Sequence, residues 1–170
     1  MLLHDVADRL DTVSDQLPLP DQIRPDPALS EILDDEVRHL ARLVGYLVAE
    51  SAFRHRAAAR YPAQVAATQR RITLALARAA EPAGAALAAL GSAVHCIGVI
   101  ADLNHQSPGT RRNRAVAAAH QQLVDRLGES RGHLARAAKH LRDTANTRSA
   151  PAAGPAPPLP AVTTTASRTR

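Results

Sequence analysis

The sequence predicts an all-α chain: an elongated antiparallel helical bundle of one short N-terminal helix and three long helices, followed by a disordered C-terminal tail. Three observations carry this. Apolar residues recur at alternating steps of three and four along four separate stretches, the pattern of amphipathic helices. Period-two runs of β-branched residues are missing, so nothing argues for a sheet. Against 36 alanines stand one Phe, two Tyr and no Trp, which suits a thin, aliphatic, helical core.

The first helix is expected over about residues 2–17, where Leu3, Val6, Leu10, Val13 and Leu17 form a stripe and Asp5, Asp8, Asp11 and Asp15 an acidic face. Pro18, Pro20, Pro25 and Pro27 break it, and PLPDQIRPDP reads as an extended linker. Asp26 before Pro27 is an N-cap followed by a first helical residue. Leu33, Val37, Leu40, Val44 and Leu47 then carry a second helix over 27–60. Pro62 ends it and opens a third helix at about 63–104, with Val65, Ile72 and Leu76 inward and a kink at Pro82. Ser107 and Pro108 repeat the cap signal, and Val116, Leu123, Leu127, Leu134 and Leu141 continue over 108–146. Residues 1–146 thus form one bundle domain, and 147–170, with five prolines and no periodicity, are expected to be disordered.

The stretch Ala83–Ala101 is the organising segment, with no charge apart from one that His95 acquires on protonation. Leu87, Leu90, Val94, Ile97 and Ala101 line one stripe of it. Beside that stripe Gly84, Gly91 and Gly98 fall seven residues apart, with Ala77 one heptad earlier and Ala88 near the same line. Glycine costs a helix roughly 0.8 to 1.0 kcal/mol relative to alanine, so the repeat predicts a helix-packing seam that another backbone approaches closely. The run is near the roughly 20 residues that cross a bilayer. Yet Ala and Gly insert weakly, His95 sits mid-run and no aromatic belt flanks it, so a core helix is expected and a membrane partner is not.

Charge is unevenly placed. Residues 1–36 hold ten acids against Arg9 and Arg24, while residues 37–146 hold six acids against sixteen Arg and Lys. The halves are expected to attract one another. Antiparallel folding would also gather Arg54, Arg56, Arg60, Arg70, Arg71, Arg136, Lys139 and Arg142 at one pole, a surface for an anionic partner. The basic residues are 20 Arg and one Lys; beside the alanine excess this looks like the residue choice of a GC-rich coding sequence and is not read as selection for phosphate. No zinc-finger spacing, helix-turn-helix or aromatic platform is present, so any nucleic-acid binding is expected to be loose and salt-sensitive.

Specific chemistry has thin support. Glu36 with His39, and Asp102 with His105, have the three-residue spacing of carboxylate-bridged metal bundles, but Glu50 and Glu81 are poor further ligands. His95, Cys96 and His120 offer soft donors, yet adjacent residues point about 100° apart, and a histidine satisfied by a carbonyl is the expected reading. His133, Leu134, Ala135, Arg136 and Ala137, echoed at His39 to Arg42, faintly resemble the histidine, basic and small-residue pattern of histidine phosphotransfer domains. That resemblance implies an exposed histidine on a helical bundle. Cys96, the only cysteine, sits in an apolar run where burial makes it inert.

The expectation is therefore a cytoplasmic, non-catalytic interaction module without cofactor or metal. Its partner is a protein or a second copy of the chain, with accessory nucleic-acid binding by the basic pole as one alternative and a metal-binding or histidine phosphotransfer bundle as another.

Overall fold

The computed structural model describes residues 2–23 and 27–149, and in them the chain is all-α. The order is α1 (Leu2–Gln16), α2 (Pro27–Arg60), a 3-10 turn (Pro62–Gln64), α3 (Ala67–His105) and α4 (Thr110–Ser149). At about 1.5 Å per residue the 39 and 40 residues of α3 and α4 make rods near 60 Å long.

Each pair of neighbours runs antiparallel. Ser130 of α4 bonds the Ala86 carbonyl of α3, while Arg112 at the start of α4 bonds Leu103 and Asn104 at the end of α3. Arg54 near the end of α2 reaches Gln69 near the start of α3. Likewise Arg142 of α4 meets Asp8 of α1, and Arg131 meets the Leu17 carbonyl.

The stripes of α1 and α4 bury as the spacing requires. Leu3, Val6, Leu10, Val13 and Leu17 are all in the core, as are Leu123, Leu127, Leu134 and Leu141. In α2 the leucines 33, 40 and 47 are fully enclosed, with Val37 and Val44 half-buried beside them. Burial of a leucine side chain contributes about 1.5–3 kcal/mol, so these rows hold the bundle together.

Helix α3 differs from its expected phase. Its buried line is Ile72, Leu76, Ala79, Ala83, Ala86, Leu90, Ala93, Cys96 and Ile100, whereas Val94 is 43% exposed, Ala101 is exposed, and Leu87 and Ile97 are half-buried. Alanine is apolar enough for the core and small enough for the surface, so it blurs the periodic signal. The close approach of α3 and α4 is made by alanines and by Ser130, whose short side chain spans the interface to the Ala86 carbonyl at 3.2 Å.

The connections also differ in detail. Gln22 N–H donates to the Leu19 carbonyl, so the linker after α1 turns instead of extending, and Ile23 is buried. Pro62 begins the 3-10 turn; Val65 and Ala66 are extended, and α3 starts only at Ala67. Through Pro82, which is buried, α3 is unbroken. Helix α4 begins at Thr110, two residues after the expected Pro108, and runs to Ser149. The cap expected at Asp26 and most of the expected tail, residues 150–170, lie outside the described residues.

Candidate interaction surface

The bundle has a thick body and a thin end. No residue from Val48 to Arg71 is buried, although α2 and α3 run through most of that span as regular helix. Runs such as Ala57–Ala58–Ala59 sustain a helix by propensity alone but present nothing large enough to knit a core. The α2–α3 hairpin therefore forms the open end of the bundle, flanked on α3 by the last turns of α4, where Thr144 and Thr147 lie beside Arg71, Leu74 and Arg78.

Large apolar side chains collect at this end. Val48, Phe53, Tyr61 and Leu74 are 52%, 61%, 54% and 49% exposed, and Tyr46 is partly exposed just below them. The single Phe and both Tyr of the chain thus lie here. Between the helices runs a groove of about 690 Å³, bounded by Ala52, His55 and Ala59 of α2, by Val65, and by Leu74 and Ala77 of α3. A second groove of about 350 Å³ lies along Phe53, Tyr61 and Gln69. Small side chains facing one another, Ala52 and Ala59 against Ala77, leave the larger one open.

The same segment is basic. Residues 51–78 contain Arg54, Arg56, Arg60, Arg70, Arg71 and Arg78 and no acid. Arg54 is engaged, its Nε donating to Glu50 at 2.7 Å and its Nη1 to Gln69 at 2.8 Å. Arg56, Arg60, Arg70 and Arg71 are exposed and have no ion pair among the described residues.

The rest of the expected pole is dispersed. Arg142 is clasped by Asp8 and Asp11 of α1, and their hydrogen bonds hold its guanidinium above its ordinary pKa. Lys139 pairs with Asp143 at 2.7 Å along α4, and Arg136 donates to His133 Nδ1 at 2.7 Å. The acidic N-terminal segment thus covers part of the basic surface. Arg131 reaches the Leu17 carbonyl; burial pulls its guanidinium below the ordinary value, with Asp15 opposing.

The glycine seam is not a packing seam within the chain. Gly84 is half-buried, Ala77, Ala88, Gly91 and Gly98 are exposed, and a Cβ added at any of the three glycines meets nothing within 4 Å. The heptad spacing is real, but it falls on the outward side of α3, away from the alanine line that meets α4. Helix α3 is the one described helix long and apolar enough to cross a membrane, and its buried line faces the rest of the bundle.

The remaining chemical candidates are separated or occupied. His120 Nε2 lies 3.2 Å from the Ile23 carbonyl and is satisfied there, His95 is exposed, and Cys96 is buried in the core. His133 is half-buried under Arg136, unlike the exposed histidine that the phosphotransfer pattern implies. Glu36 and His39 do share a face, with 3.9 Å between Oε2 and Nδ1. Glu36 is buried on the inner line of α2, and its Oε2 has no hydrogen bond. Burial raises its carboxyl pKa, His39 opposing and Asp35 reinforcing the rise. Glu50 is engaged by Arg54, Glu81 is exposed, and among the described residues no three His, Cys, Asp or Glu side chains gather.

Heptad stripes do not reveal the exposed apolar end. Its signal is the gap between Leu47 and Ile72, where no leucine or isoleucine interrupts the alanines and arginines. Compared with known proteins, the chain matches no family model, no curated protein and no solved structure.

Proposed function

We propose that the chain is a non-catalytic interaction module that binds a protein partner through the open α2–α3 end. One observation carries this reading: exposed Phe53, Tyr61 and Leu74 line two grooves at the end of the bundle where no residue from Val48 to Arg71 is buried. Exposed contiguous apolar surface is costly in water and marks docking sites in soluble proteins. The grooves present apolar walls and arginines, a surface suited to contact.

Formaldehyde cross-linking in the cells that make the protein tests the reading, comparing the natural chain with the double variant Phe53→Ser, Leu74→Ser. Both positions are exposed, so the variant should keep its helicity. The natural chain should yield discrete protein adducts that the variant loses. Equal adducts from both chains, or none from either, would overturn the proposal.

A second reading has its own support, because Arg56, Arg60, Arg70 and Arg71 lack acidic partners. On it, the same end holds nucleic-acid backbone loosely. A gel-shift titration in rising salt tests it, since phosphate contacts give affinity that falls steeply with ionic strength. Neutralising Arg54, Arg56, Arg70 and Arg71 together should abolish the shift with helicity intact; an unchanged shift contradicts this reading.

A further inference from the structure

Resting on the protein-binding reading, we infer that the occupant of the α2–α3 groove is an acidic amphipathic helix of a partner protein. Shape is the first argument. A trough between two helices, walled by Ala52, Ala59, Val65, Leu74 and Ala77, takes the apolar side of a third helix, whose residues at i, i+3, i+4 and i+7 line up along it.

Charge is the second. Six arginines and no acid lie between residues 51 and 78; Arg70 lines the groove, and Arg56, Arg60 and Arg71 are exposed on the same segment, a basic setting for carboxylates that flank the apolar stripe of an incoming helix.

The chain itself supplies the third argument, because α1 already docks in this manner. Its Leu3, Val6, Leu10 and Val13 are buried, while Asp8 and Asp11 reach over the edge to Arg142. An acidic helix laid on a basic helical surface is therefore a contact this sequence makes once internally. The hairpin end offers the same chemistry with the acidic half missing.

Other occupants fit less well. Two copies joined end to end would face arginine with arginine. The segment 147–170 carries Arg148, Arg168 and Arg170 and no acid, so it brings the wrong charge. A bilayer surface does not follow a trough between helices, and nucleic acid would pair with the arginines while leaving Leu74 and Val65 wet.

The test titrates the full chain into a fluorescein-labelled peptide of about five helical turns, with leucines on one stripe and glutamates elsewhere. One control peptide replaces the glutamates with lysines, and another replaces the leucines with serines. The leucine–glutamate peptide should bind, more weakly as salt rises, and both controls should fail. Leu74→Asp, and separately Arg70→Gln with Arg71→Gln, should each weaken binding at least about tenfold at unchanged helicity. Equal binding of the lysine peptide, unaltered binding by the Leu74 variant, or no binding at all would overturn the inference. Displacement of the peptide by phosphatidylglycerol vesicles or by duplex DNA, with the displacing ligand equally sensitive to Leu74→Asp, would overturn it in favour of that ligand. If the peptide fails while the cross-linking above yields adducts, the acidic-helix assignment falls alone; if both fail, the interaction reading falls with it.

Discussion

Arg142, near the end of α4, donates from Nη2 to Asp8 of α1 at 2.8 Å, and the same guanidinium reaches Asp11 one helical turn further on. This clasp ties the two termini of the described chain together across 134 residues of sequence. The Arg142 side chain is 36% exposed and that of Asp8 67%, so water and salt screen much of the attraction. Arg142→Gln should lower stability by about 0.5–1 kcal/mol, and the loss should shrink in high salt. Urea denaturation at two ionic strengths measures both; a loss that does not respond to salt would contradict the electrostatic origin.

Glu36 is expected to be a weak point of the core. Its carboxyl pKa is raised in the folded state, so the folded chain holds the proton more tightly than the unfolded chain does. The sign follows: ionisation costs the fold stability at neutral pH, and the cost fades as pH falls through the folded-state value. Glu36→Leu, which continues the line of Leu33, Leu40 and Leu43, should stabilise the protein by about 1–3 kcal/mol at neutral pH. Measured against pH, the gain should shrink as pH falls and the natural side chain takes up its proton. A gain independent of pH would show that burial of the charge is not its cause.

Gly91 and Gly98 have helical backbones and open space where a Cβ would stand. Gly91→Ala and Gly98→Ala should therefore each stabilise α3, by about 0.8–1.0 kcal/mol. Thermal denaturation checks this. Destabilisation would restore the seam that the sequence suggested, and a drop in mass by light scattering would place that seam between two copies.

Ser130 is fully buried between α3 and α4, bonded to the Ala86 carbonyl. Ser130→Ala keeps the volume nearly unchanged and should cost only about 1 kcal/mol. Ser130→Leu would wedge the two longest helices apart and should cost about 1–3 kcal/mol or more. Equal stabilities for the two variants would contradict close packing at this point.

The elements differ in how openly the sequence displayed them. In α1 and α4 isolated leucines stand among polar residues, so every stripe position from Leu3 to Leu17 and from Leu123 to Leu141 names its own face. In α3 the alternation is between alanine, glycine and valine, and the transfer free energies are too similar to mark a side. The spacing therefore points Val94 inward and leaves Ala86 unmarked, although Ala86 is fully enclosed and Val94 is 43% exposed.

The basic pole was half legible for a related reason. Antiparallel order brings Arg54 beside Gln69, as chain direction alone requires, but helical rotation decides that Arg142 turns to Asp8. The open end was illegible because propensity extends α2 to Arg60 whether or not anything covers it. Coverage depends on α1, whose 15 residues lie against α4.

On the proposed reading, contact with a partner is confined to the α2–α3 end. A photoreactive phenylalanine analogue placed singly at Leu74, at Val94 on the outer face of α3, or at Glu129 on α4 tests it within the intact chain. Irradiation in the native host should give discrete protein adducts from position 74 and none from 94 or 129. Adducts from position 94 or 129, or none from position 74, would contradict that reading.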